Sequence, residues 1–459
     1  MSCTGTLSGQ RALVVGLGRE GEDLARFLAT HGARVHVTDQ RPAAELAVAR
    51  ARLAGLPVRY TLGEHPLDLL DDCDAVYLSP GVPRTLPLVE AARARGLPLS
   101  SATELFLARC PAHTIGITGS SGKTTTTALV GEMLRAAGWP VLVGGNIGVP
   151  LLGRLGELTA EHWVVLELSS FQLEPLRQSP QVAAITNLTP NHLDRHKTME
   201  AYAAAKFQIT AHQRPTDWAV LNADDPLVSR APGAGQRRWF SLERPVEGTY
   251  LRDDWLIAGV NGAPHRLAPR STLRLRGRHN LANALCAAAV ALAVGVPPGA
   301  IRVALERFEG VPHRLEVVGV IEGVTYVNDS IATSPERSIA ALMSFDAPVV
   351  LLAGGRDKHL PWDRWAQVVG QRVRALLLLG EAAELIASAA RAHGAAHVPI
   401  YRVGCLDDAV PLARALAQPG DVVLLSPGCT SYDQFRDFEE RGARFRSLVR
   451  AQMVQERRA

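Results

Sequence analysis

The fold of this chain is decided by residues 114–127, which read Thr-Ile-Gly-Ile-Thr-Gly-Ser-Ser-Gly-Lys-Thr-Thr-Thr-Thr. The apolar run Thr114–Ile117 predicts a strand, and Thr125–Ala137 predicts a helix. The Gly-rich turn between them brings Lys123 and Thr124 to the helix N-terminus. Backbone N–H groups and the helix dipole favour a polyphosphate there, the lysine adds positive charge, and the threonine hydroxyl can bind Mg²⁺. The stretch therefore predicts a phosphate-binding loop at a strand–helix junction.

This loop is shorter than the common G-x-x-x-x-G-K-[ST] pattern. Gly116 lies one residue too early for that spacing, and Ile117 occupies the expected glycine position. The remaining pattern, residues 118–124, reads Thr-Gly-Ser-Ser-Gly-Lys-Thr. An ordinary tight turn is the alternative, because glycine and serine are common in turns. The Gly-Lys-Thr sequence at a strand–helix junction favours phosphate binding over that alternative.

Length and composition limit the class of protein. A chain of 459 residues is expected to form about two to four domains. An apolar fraction of 47% and a charged fraction of 20% are typical of a soluble globular protein. The net charge of +4 comes from scattered arginines, which suits anionic small-molecule substrates and does not indicate nucleic acid. The six cysteines are also scattered, which predicts a reducing cytoplasm and no disulfide framework or zinc site.

No segment of the sequence predicts export or membrane insertion. The N-terminus lacks the apolar region of a signal peptide, and no apolar run reaches the length of a membrane span. The longest such stretch, Ala284–Val296, is rich in alanine and predicts a buried helix. The expected protein is therefore cytoplasmic, with no membrane partner.

The first part of the chain has the pattern of a βαβ unit. Strand Arg11–Val15 leads into Gly16-Leu17-Gly18-Arg19-Glu20-Gly21, and helix Glu22–Thr30 precedes strand Arg34–Thr38, which ends at Asp39. A G-x-G-x-x-G turn followed by an acid at the end of the second strand is typical of dinucleotide binding. A structural βαβ unit without a nucleotide is the alternative. A further strand, Ala75–Leu78, is followed by the loop 79–83.

Two later strands are expected to converge on the phosphate loop. Strand Trp163–Leu168 carries Glu167 near its carboxyl end, and strand Val182–Thr186 leads into residues 187–194. Ligands of open α/β sheets gather at the carboxyl ends of strands. Glu167 is a candidate Mg²⁺ ligand because a carboxylate that closes an apolar strand needs a cation partner. The alternative is a strand-end glutamate that is satisfied by the protein itself.

Three further residue types in this part are ambiguous from the sequence alone. A loop histidine such as His192 is more often structural or exposed than a ligand. The helical position of Lys206 favours a solvated surface lysine. Asn280 and Asn283, three residues apart on a predicted helix, could read a base edge from one helix face. The alternative for this pair is a helix start with Asn280 as its cap.

The last part of the chain alternates strands and helices from about Pro312. The predicted strands end in polar or Gly-rich loops; they are Thr325–Asn328, Val349–Leu352, Ala375–Leu379 and Asp421–Leu425. This alternation predicts a mostly parallel sheet. The fold class is therefore α/β, with an N-terminal Rossmann-like domain, a central P-loop ATPase-type parallel sheet and a C-terminal Rossmann-like domain. The expected boundaries are 1–108, 109–311 and 312–459.

The motifs, taken in order, resemble those of the Mur ligases, which are ATP-dependent amide ligases of peptidoglycan precursor synthesis. The short loop 118–124 is the form that Mur ligases share with folylpolyglutamate synthases. The other matching motifs, which together cover nearly the full length, are Gly145-Asn146-Ile147-Gly148, residues 166–173, His192-Leu193-Asp194-Arg195, Gly277-x-His279-Asn280, Pro312-His313-Arg314, Asn328-Asp329-Ser330 and residues 426–445. The last of these resembles the members that add D-glutamate to UDP-N-acetylmuramoyl-L-alanine.

The resemblance implies a role for individual residues. The expected ATP-binding residues are Gly119, Ser120, Ser121, Gly122, Lys123, Thr124, Thr125, Asn280, Asn283, Arg314 and Asp329. The expected ligands of two Mg²⁺ ions are Thr124, Glu167, His192 and Lys206, the last as an N-carbamate formed with CO₂. The expected catalytic residues are Lys123, His192 and Lys206. The expected contacts to the uridine diphosphate substrate and the glutamate are Gly18, Arg19, Asp39, Ser79, Gly81, Asn146, Thr333, Lys358, Ser431 and Phe438. A monomer is expected, with these small molecules as its partners.

One position departs from the family pattern. Familiar members of this subtype have lysine where this chain has Ile331, so a positive charge is missing there unless Arg337 or Arg356 supplies it. Other functions stay open at this point. They are ligation of L-glutamate, a folylpolyglutamate-synthase-like amide ligase, a nicotinamide dehydrogenase and a nucleotide-binding scaffold without turnover.

Overall fold

The described residues of the chain form three separate β-sheets. The structure, a computed structural model, describes residues 6–146, 150–191, 193–260, 262–274, 277–358 and 360–456. The N-terminal and central sheets belong to one compact unit, residues 1–308, and the C-terminal sheet belongs to a second, residues 309–459. The predicted α/β architecture with three sheets is confirmed.

The N-terminal sheet is entirely parallel and has the strand order β3-β2-β1-β4-β5. Its strands are Arg11–Val15 (β1), Arg34–Asp39 (β2), Val58–Leu62 (β3), Ala75–Leu78 (β4) and Leu99–Ser100 (β5). The helices of this region are Arg19–Thr30 (α1), Ala47–Arg52 (α2), Pro87–Ala94 (α3) and Ala102–Arg109 (α4). A short 3₁₀ helix covers Leu67–Leu70. The predicted bounds of β1 and β4 are confirmed.

The central sheet has nine strands in the order β14-β13-β12-β11-β10-β9-β6-β8-β7. The strands are His113–Thr118 (β6), Val141–Gly145 (β7), Trp163–Glu167 (β8), Val182–Ile185 (β9), Trp218–Asn222 (β10), Gln236–Ser241 (β11), Gly248–Arg252 (β12), Trp255–Val260 (β13) and Ala263–Pro269 (β14). The helices are Lys123–Ala136 (α5), Ser170–Leu173 (α6), Leu193–His196 (α7), Met199–Ala211 (α8), Arg278–Ala293 (α9) and Pro298–Arg307 (α10). Three 3₁₀ helices cover Leu152–Glu157, Val228–Arg230 and Arg270–Thr272.

The strands from β7 to β12 are parallel, and β13 and β14 add an antiparallel edge. The sequence analysis did not predict this edge, because its strands alternate buried and exposed residues only weakly. Helix α9 confirms the predicted buried helix, since its residues from Asn283 to Ala291 are all buried. It packs against α5, the helix that follows the phosphate loop.

The C-terminal sheet has six strands in the order β15-β16-β20-β17-β18-β19, and only the β15–β16 pair is antiparallel. The strands are Glu316–Ile321 (β15), Val324–Asn328 (β16), Val349–Gly354 (β17), Val373–Leu379 (β18), Ile400–Arg402 (β19) and Val422–Gly428 (β20). The helices are Pro335–Leu342 (α11), Asp363–Arg372 (α12), Ala383–Ala392 (α13), Leu406–Leu416 (α14) and Phe438–Glu456 (α15). The predicted mostly parallel sheet is confirmed.

Polar contacts fasten the N-terminal sheet to the central sheet through α1. The Asp23 carboxylate accepts hydrogen bonds from the backbone N–H groups of Leu152 (3.0 Å) and Gly153 (3.3 Å). The Gln172 side-chain amide donates to Glu20 Oε1 at 2.7 Å. Burial of Glu20 raises the pKa of its carboxyl to about 7. Because α1 begins directly after the Gly-rich turn, these contacts place that turn close to the central sheet.

Within the residues that the structure describes, no helix has both the length and the apolar character of a membrane span.

Candidate active site

The phosphate loop lies at the carboxyl end of β6, in the middle of the parallel part of the central sheet. Its two glycines are required by their surroundings. Gly122 has a φ of 78°, and a Cβ atom there would lie 2.1 Å from Asn283 Oδ1. A Cβ atom on Gly119 would lie 1.8 Å from Thr186 Oγ1. Any larger residue would therefore displace the neighbouring side chains, which explains why the turn is built from glycine.

A neighbouring strand end holds the loop. The Asn187 backbone carbonyl accepts a hydrogen bond from Ser120 N (2.9 Å), and its side-chain oxygen accepts one from Ser121 N (3.0 Å). The Ser120 hydroxyl donates to the Thr189 carbonyl at 2.9 Å. Residues 187–189 follow β9, as the sequence analysis predicted for a strand that converges on the loop. The specific role of Asn187 was missed, because an asparagine after a strand is also common in ordinary turns.

Lys123 and Thr124 occupy the first turn of α5, as predicted. The Lys123 ammonium donates to the backbone carbonyls of Gly119 (2.9 Å) and Ser120 (3.2 Å), so it lies folded over the loop. Thr124 is buried, at 4% exposure. Positive charge, a hydroxyl and a helix N-terminus therefore meet at one place, which is the arrangement that a polyphosphate requires.

Lys206 is not the solvated surface lysine that its sequence context favours; that interpretation is wrong. It is 1% exposed. Its ammonium donates to Gly119 O at 2.9 Å and to Thr118 Oγ1 at 3.2 Å. Burial lowers its pKa well below the usual value, the charge of Lys123 lowers it further, and the charge of Glu167 opposes the shift. The sequence could not reveal this burial because α8 is rich in alanine on all sides.

Glu167 closes β8 beside the loop and is 2% exposed. Its Oε1 atom accepts a hydrogen bond from Asn146 Nδ2 at 2.9 Å, and its backbone carbonyl accepts one from Asn146 N at 2.8 Å. Its Oε2 atom is buried and has no hydrogen-bond donor among the described residues. A buried, unsatisfied carboxylate oxygen is costly unless a cation lies beside it. The residues therefore fit a divalent cation at this position.

One predicted ligand and part of one motif lie outside the described residues. These are His192 and residues 147–148 of the motif that contains Asn146. Among the residues that the structure does describe, no group of three His, Cys, Asp or Glu side chains forms a metal site on its own.

Asn280 and Asn283 share one face of α9, as predicted from their spacing. Asn283 Nδ2 donates to Asn280 Oδ1 at 3.2 Å. Asn283 Oδ1 lies so close to Gly122 of the phosphate loop that a Cβ atom on that glycine would be 2.1 Å away. The interpretation of Asn280 as a helix cap is wrong. Helix α9 begins at Arg278, with Gly277 at the N-cap position.

The N-terminal Gly-rich turn reaches the same region. Gly18 is the N-cap residue of α1, and the Arg19 guanidinium donates to the Asn146 carbonyl at 3.4 Å. The Ser79 hydroxyl donates to Gly16 O at 2.7 Å, which ties the loop after β4 to the turn. The Gly81 carbonyl accepts a hydrogen bond from Arg195 NH1 at 3.2 Å.

Asp39 is held by protein groups at the end of β2. Its carboxylate accepts hydrogen bonds from Leu17 N (2.7 Å) and from Arg41 N, Nε and NH2 (2.9, 3.0 and 2.8 Å). These donors lower the pKa of Asp39 to about 2 against the opposing effect of its burial. Asp39 therefore positions the half-exposed Arg41 beside the Gly-rich turn. Arg41 was missed, because the expected motif ends at the acid.

In the C-terminal unit, the predicted residues lie at the carboxyl ends of β16, β17 and β20. Lys358 Nζ donates to Thr333 Oγ1 at 3.1 Å. The Ser330 hydroxyl donates to the Phe438 carbonyl at 2.8 Å, and Ser431 is buried. Parallel strands place their carboxyl ends at one edge, so these residues, from the three loops that follow β16, β17 and β20, share one region.

Asp329 is fully enclosed at the same edge. It accepts hydrogen bonds from Ser426 Oγ (2.9 Å) and from Leu315 N (3.2 Å). Burial raises the pKa of the Asp329 carboxyl to about 7, and the nearby charges of Arg314 and Arg337 only partly oppose this shift.

Arg441 is a buried cation that the sequence analysis missed. It is 3% exposed and donates to Ser330 Oγ and O (3.0 and 2.9 Å) and to the carbonyls of Cys429 (3.2 Å), Thr430 (3.2 Å) and Gly354 (3.4 Å). These acceptors are all uncharged. Burial lowers the pKa of the guanidinium to about 10. Arg441 thus joins three loops at this edge and leaves positive charge there.

Arg356, one of two candidates to replace the charge absent at position 331, is neutralised by an acid. Its Nε and NH2 atoms donate to the two Glu381 carboxylate oxygens, each at 2.9 Å. This bidentate pair links the loops after β17 and β18.

The chain matches three family models in order along its length. They are described as Mur ligase MurD-like, N-terminal domain (residues 10–101), Mur ligase middle domain (residues 117–291) and Mur ligase, glutamate ligase domain (residues 313–429).

Curated relatives match over nearly their full length. The UDP-N-acetylmuramoylalanine–D-glutamate ligase of Symbiobacterium thermophilum is 46% identical over 96% of this chain and 98% of its own length. The protein of the same name from a Roseiflexus species is 44% identical over 96% of this chain and 99% of its own length.

Solved structures share the fold at low identity. The UDP-N-acetylmuramate-alanine ligase MurC of Thermotoga maritima has a TM-score of 0.56 at 21% identity, with 97% of this chain and 100% of that chain covered. The MurF ligase of Thermotoga maritima in complex with ADP has a TM-score of 0.53 at 19% identity, covering 97% of this chain and 96% of that one. The three family models and the curated relatives together show that the chain belongs to the Mur ligase family.

Proposed function

We propose that this chain is an ATP-dependent ligase that joins D-glutamate to UDP-N-acetylmuramoyl-L-alanine in peptidoglycan precursor synthesis. The observation that carries the proposal is the meeting of three groups at the end of β6: the phosphate loop with Lys123, the unsatisfied Glu167 carboxylate and the buried Lys206 amine. The curated relatives that match this chain over nearly the full length carry the name of that activity.

The reaction couples phosphoryl transfer to acyl transfer. The L-alanine carboxylate of the substrate attacks the γ-phosphorus of ATP, which forms an acyl phosphate and releases ADP. The glutamate amine then attacks the acyl carbon, and the tetrahedral intermediate expels inorganic phosphate as the amine loses its proton. Lys123 and the N-terminus of α5 lie where negative charge develops on the transferring phosphoryl group, and their positive charge stabilises it.

Magnesium is expected at the same place. Thr124, Glu167, His192 and a carbamate on Lys206 would hold two Mg²⁺ ions. Bound Mg²⁺ supplies positive charge that neutralises the β- and γ-phosphate oxygens. The fit rests on the buried Glu167 Oε2 atom without a donor in the described part of the chain.

Lys206 is suited to react with CO₂. Carbamate formation needs a neutral amine, whose nitrogen attacks the carbon of CO₂ and releases one proton. Burial and the charge of Lys123 lower the pKa of Lys206 and so favour that neutral amine. The product is an anionic carboxylate, which removes the repulsion between two neighbouring lysines and creates oxygen ligands for a hard cation.

The remaining substrate roles follow the geometry. The N-terminal turn with Gly18 and Arg19, together with Asp39, Ser79 and Gly81, is proposed to bind the uridine diphosphate part. Arg41, fixed by Asp39, is added here as a cation for the diphosphate. Asn146 is proposed to face the muramoyl part, since Arg19 and Glu167 both contact it.

Nucleotide and glutamate contacts complete the assignment. The proposed ATP-binding residues are those of loop 119–125 together with Asn280, Asn283, Arg314 and Asp329. The proposed glutamate-binding residues are Thr333, Lys358, Ser431 and Phe438. We further propose the domain boundaries 1–108, 109–311 and 312–459, a monomer and a cytoplasmic location.

Phosphate release tests the proposal directly. The assay contains ATP, Mg²⁺ and UDP-N-acetylmuramoyl-L-alanine, with D-glutamate, L-glutamate or no amino acid in parallel. We expect release with D-glutamate only. Release with L-glutamate only would retain the ligase and overturn the handedness, and no release with either would overturn the substrate assignment.

A further inference from the structure

A histidine from the short helix α7 links the two elements that carry Glu167 and Lys206. His196 is half-buried, and its Nε2 atom forms a hydrogen bond with Ser170 Oγ at 3.0 Å. Ser170 is the first residue of α6 and follows Glu167 by three positions. The hydrogen bond therefore attaches His196 to the segment directly after the strand end that carries Glu167.

The imidazole ring of His196 contacts both α6 and α8. It stacks against the Phe171 ring of α6, with 5.2 Å between the ring centroids and 5° between the ring planes. It also contacts the Tyr202 ring of α8, with 5.3 Å between the centroids and 53° between the planes. Tyr202 precedes Lys206 by four positions, so both lie on one face of α8. The Lys206 ammonium lies 4.9 Å from the Tyr202 ring centroid.

Tyr202 extends these contacts to the phosphate loop. Its hydroxyl forms a hydrogen bond with Ser120 Oγ at 3.1 Å. Tyr202 is 1% exposed, so its ring is held by close packing. His196 is thus linked through Tyr202 to the phosphate loop and to Lys206, and through Ser170 to the segment after Glu167.

The backbone turn that follows His196 is strained. Lys197 has a φ of 67°, a left-handed conformation that residues other than glycine rarely adopt. The Thr198 N–H donates to the His196 carbonyl at 2.8 Å, and Thr198 Oγ1 caps α8 by accepting a hydrogen bond from Ala201 N at 3.1 Å. Strained conformations of this kind persist where the surrounding contacts determine them, and they are concentrated at functional sites. This turn fixes His196 relative to α8.

We propose that His196 is a positioning residue that fixes the distance between Glu167 and Lys206, with its ring as the spacer between α6 and α8. The inference rests on the proposed function for the assignment of Glu167 and Lys206 as Mg²⁺ ligands. Mg²⁺ requires nearly ideal octahedral geometry with oxygen ligands at about 2.0–2.1 Å. A small change in the spacing of its ligands therefore weakens its binding.

Direct metal binding tests the inference without turnover. The full-length protein is titrated with Mn²⁺ in the presence of ADP, and free Mn²⁺ is measured by electron paramagnetic resonance. In His196→Ala, the dissociation constant for Mn²⁺ should rise on the order of 10-fold, as for loss of a group that orients metal ligands. His212→Ala is the matched control, because His212 is exposed at the C-cap of α8 and contacts Gln208 of the same helix. Its affinity for Mn²⁺ should equal that of the wild type.

Steady-state kinetics supply a second readout. In His196→Ala, the Mg²⁺ concentration that gives half-maximal phosphate release should rise on the order of 10-fold. The KM for D-glutamate should stay unchanged, because the proposed glutamate contacts lie in the C-terminal unit. A general loss of structure would raise both values together. Thermal unfolding of each variant shows whether it is folded.

Two further variants separate the ring from its hydrogen bond. His196→Gln keeps a hydrogen-bonding group for Ser170 but removes the ring, so we expect it to bind Mn²⁺ as weakly as His196→Ala. The double variant Ser170→Ala/His196→Phe keeps a ring that contacts Phe171 and Tyr202 and removes both hydrogen-bonding groups together. Because no buried hydroxyl is then left without its partner, we expect this double variant to recover most of the lost affinity for Mn²⁺.

Each outcome decides the inference. A wild-type affinity for Mn²⁺ in folded His196→Ala would overturn it. A double variant that binds Mn²⁺ as weakly as His196→Ala would also overturn it, because the ring would then not be the spacer. An equal rise of the KM for D-glutamate would overturn it as well, since the effect would not be confined to the metal ligands. If His196→Ala does not fold, His196→Gln takes its place with the same outcomes.

The Mn²⁺ titration also separates this inference from the proposed function. A wild type that binds Mn²⁺ with ADP but releases no glutamate-dependent phosphate would overturn the proposed function, and the Mn²⁺ affinities of the variants would still decide this inference. An active wild type whose Mn²⁺ affinity is insensitive to His196 would overturn this inference alone. A wild type that binds no Mn²⁺ would overturn both this inference and the metal assignment.

Discussion

The central and C-terminal sheets present the same kind of edge but differ in the charged groups that lie there. At the carboxyl ends of β6 and β8, the Glu167 Oε2 atom is buried with no donor in the described part of the chain. At the carboxyl ends of β16, β17 and β20, the buried Arg441 contacts uncharged acceptors, and Lys358 and Arg337 lie nearby. The first region offers Lys123 for phosphate oxygens together with a carboxylate oxygen for a cation, whereas the second offers positively charged side chains for an anion.

The comparison explains how the same parallel-sheet architecture can bind two different kinds of ligand. Carboxyl ends of parallel strands gather loops, and the backbone of those loops binds ligands irrespective of their charge. The side chains added to these loops then differ: Glu167 closes β8 beside Lys123, whereas Arg441 from α15 contacts the C-terminal loops. A ligase needs both, because metal-bound ATP and an anionic amino acid must be held separately.

The largest expected effect is loss of Lys123. In Lys123→Ala, turnover should fall on the order of 10³-fold, because the positive charge over the phosphate loop is removed. The other groups that bind the substrates stay in place. Phosphate release measures this. Activity like that of the wild type would show that the loop does not hold the reacting phosphates.

Loss of Lys206 should reduce turnover as much as loss of Lys123, but added carboxylates should restore part of the activity. Lys206→Ala should be inactive, and formate or acetate should restore part of the activity by supplying the carboxylate of the missing carbamate. Lys123→Ala is the control, since a carboxylate cannot replace an ammonium and should not rescue it. Activity that is indifferent to Lys206 would remove the carbamate from the account.

Removal of Arg441 should affect stability. Arg441→Ala leaves the buried carbonyls of Ser330 and Cys429 without this donor, at about 1–3 kcal/mol for an unsatisfied group. We expect a clearly lower unfolding midpoint. Arg444→Ala, on the same helix, is the control, because its exposed pair with Asp407 is worth at most about 1 kcal/mol. Equal midpoints for the two variants would contradict a structural role for Arg441.

The last expected effect concerns the dependence of stability on pH. Burial raises the pKa of the Asp329 carboxyl from its usual value of 3.8 to about 7, so the folded state binds a proton that the unfolded state has lost. Stability should therefore fall as pH rises from about 4 to 7, by at most about 1.4 kcal/mol per pH unit from this group. Urea unfolding of the wild type and Asp329→Asn measures the difference, which should favour the variant increasingly toward pH 7. A pH-independent difference would refute the assignment.

The sequence predicted the fold better than the site. Strands β6, β8 and β9 are continuous apolar runs buried on both faces, so their pattern, their order and their convergence on the loop could be inferred. Lys206, Arg41 and Arg441 could not be placed from local pattern. The burial of Lys206 and Arg441 depends on contacts between distant parts of the chain, such as the 88 positions that separate Lys206 from Thr118. Only the resemblance to a family selected Lys206.

The most direct test of the account is an isotope transfer. UDP-N-acetylmuramoyl-L-alanine carrying ¹⁸O in its alanine carboxylate is incubated with the enzyme, ATP, Mg²⁺ and D-glutamate, and the released phosphate is analysed by mass spectrometry. Attack of that carboxylate on ATP predicts that each released phosphate carries one oxygen from the alanine carboxylate. Phosphate without ¹⁸O, released together with the amide product, would contradict the acyl phosphate and with it the proposed use of the two charged edges.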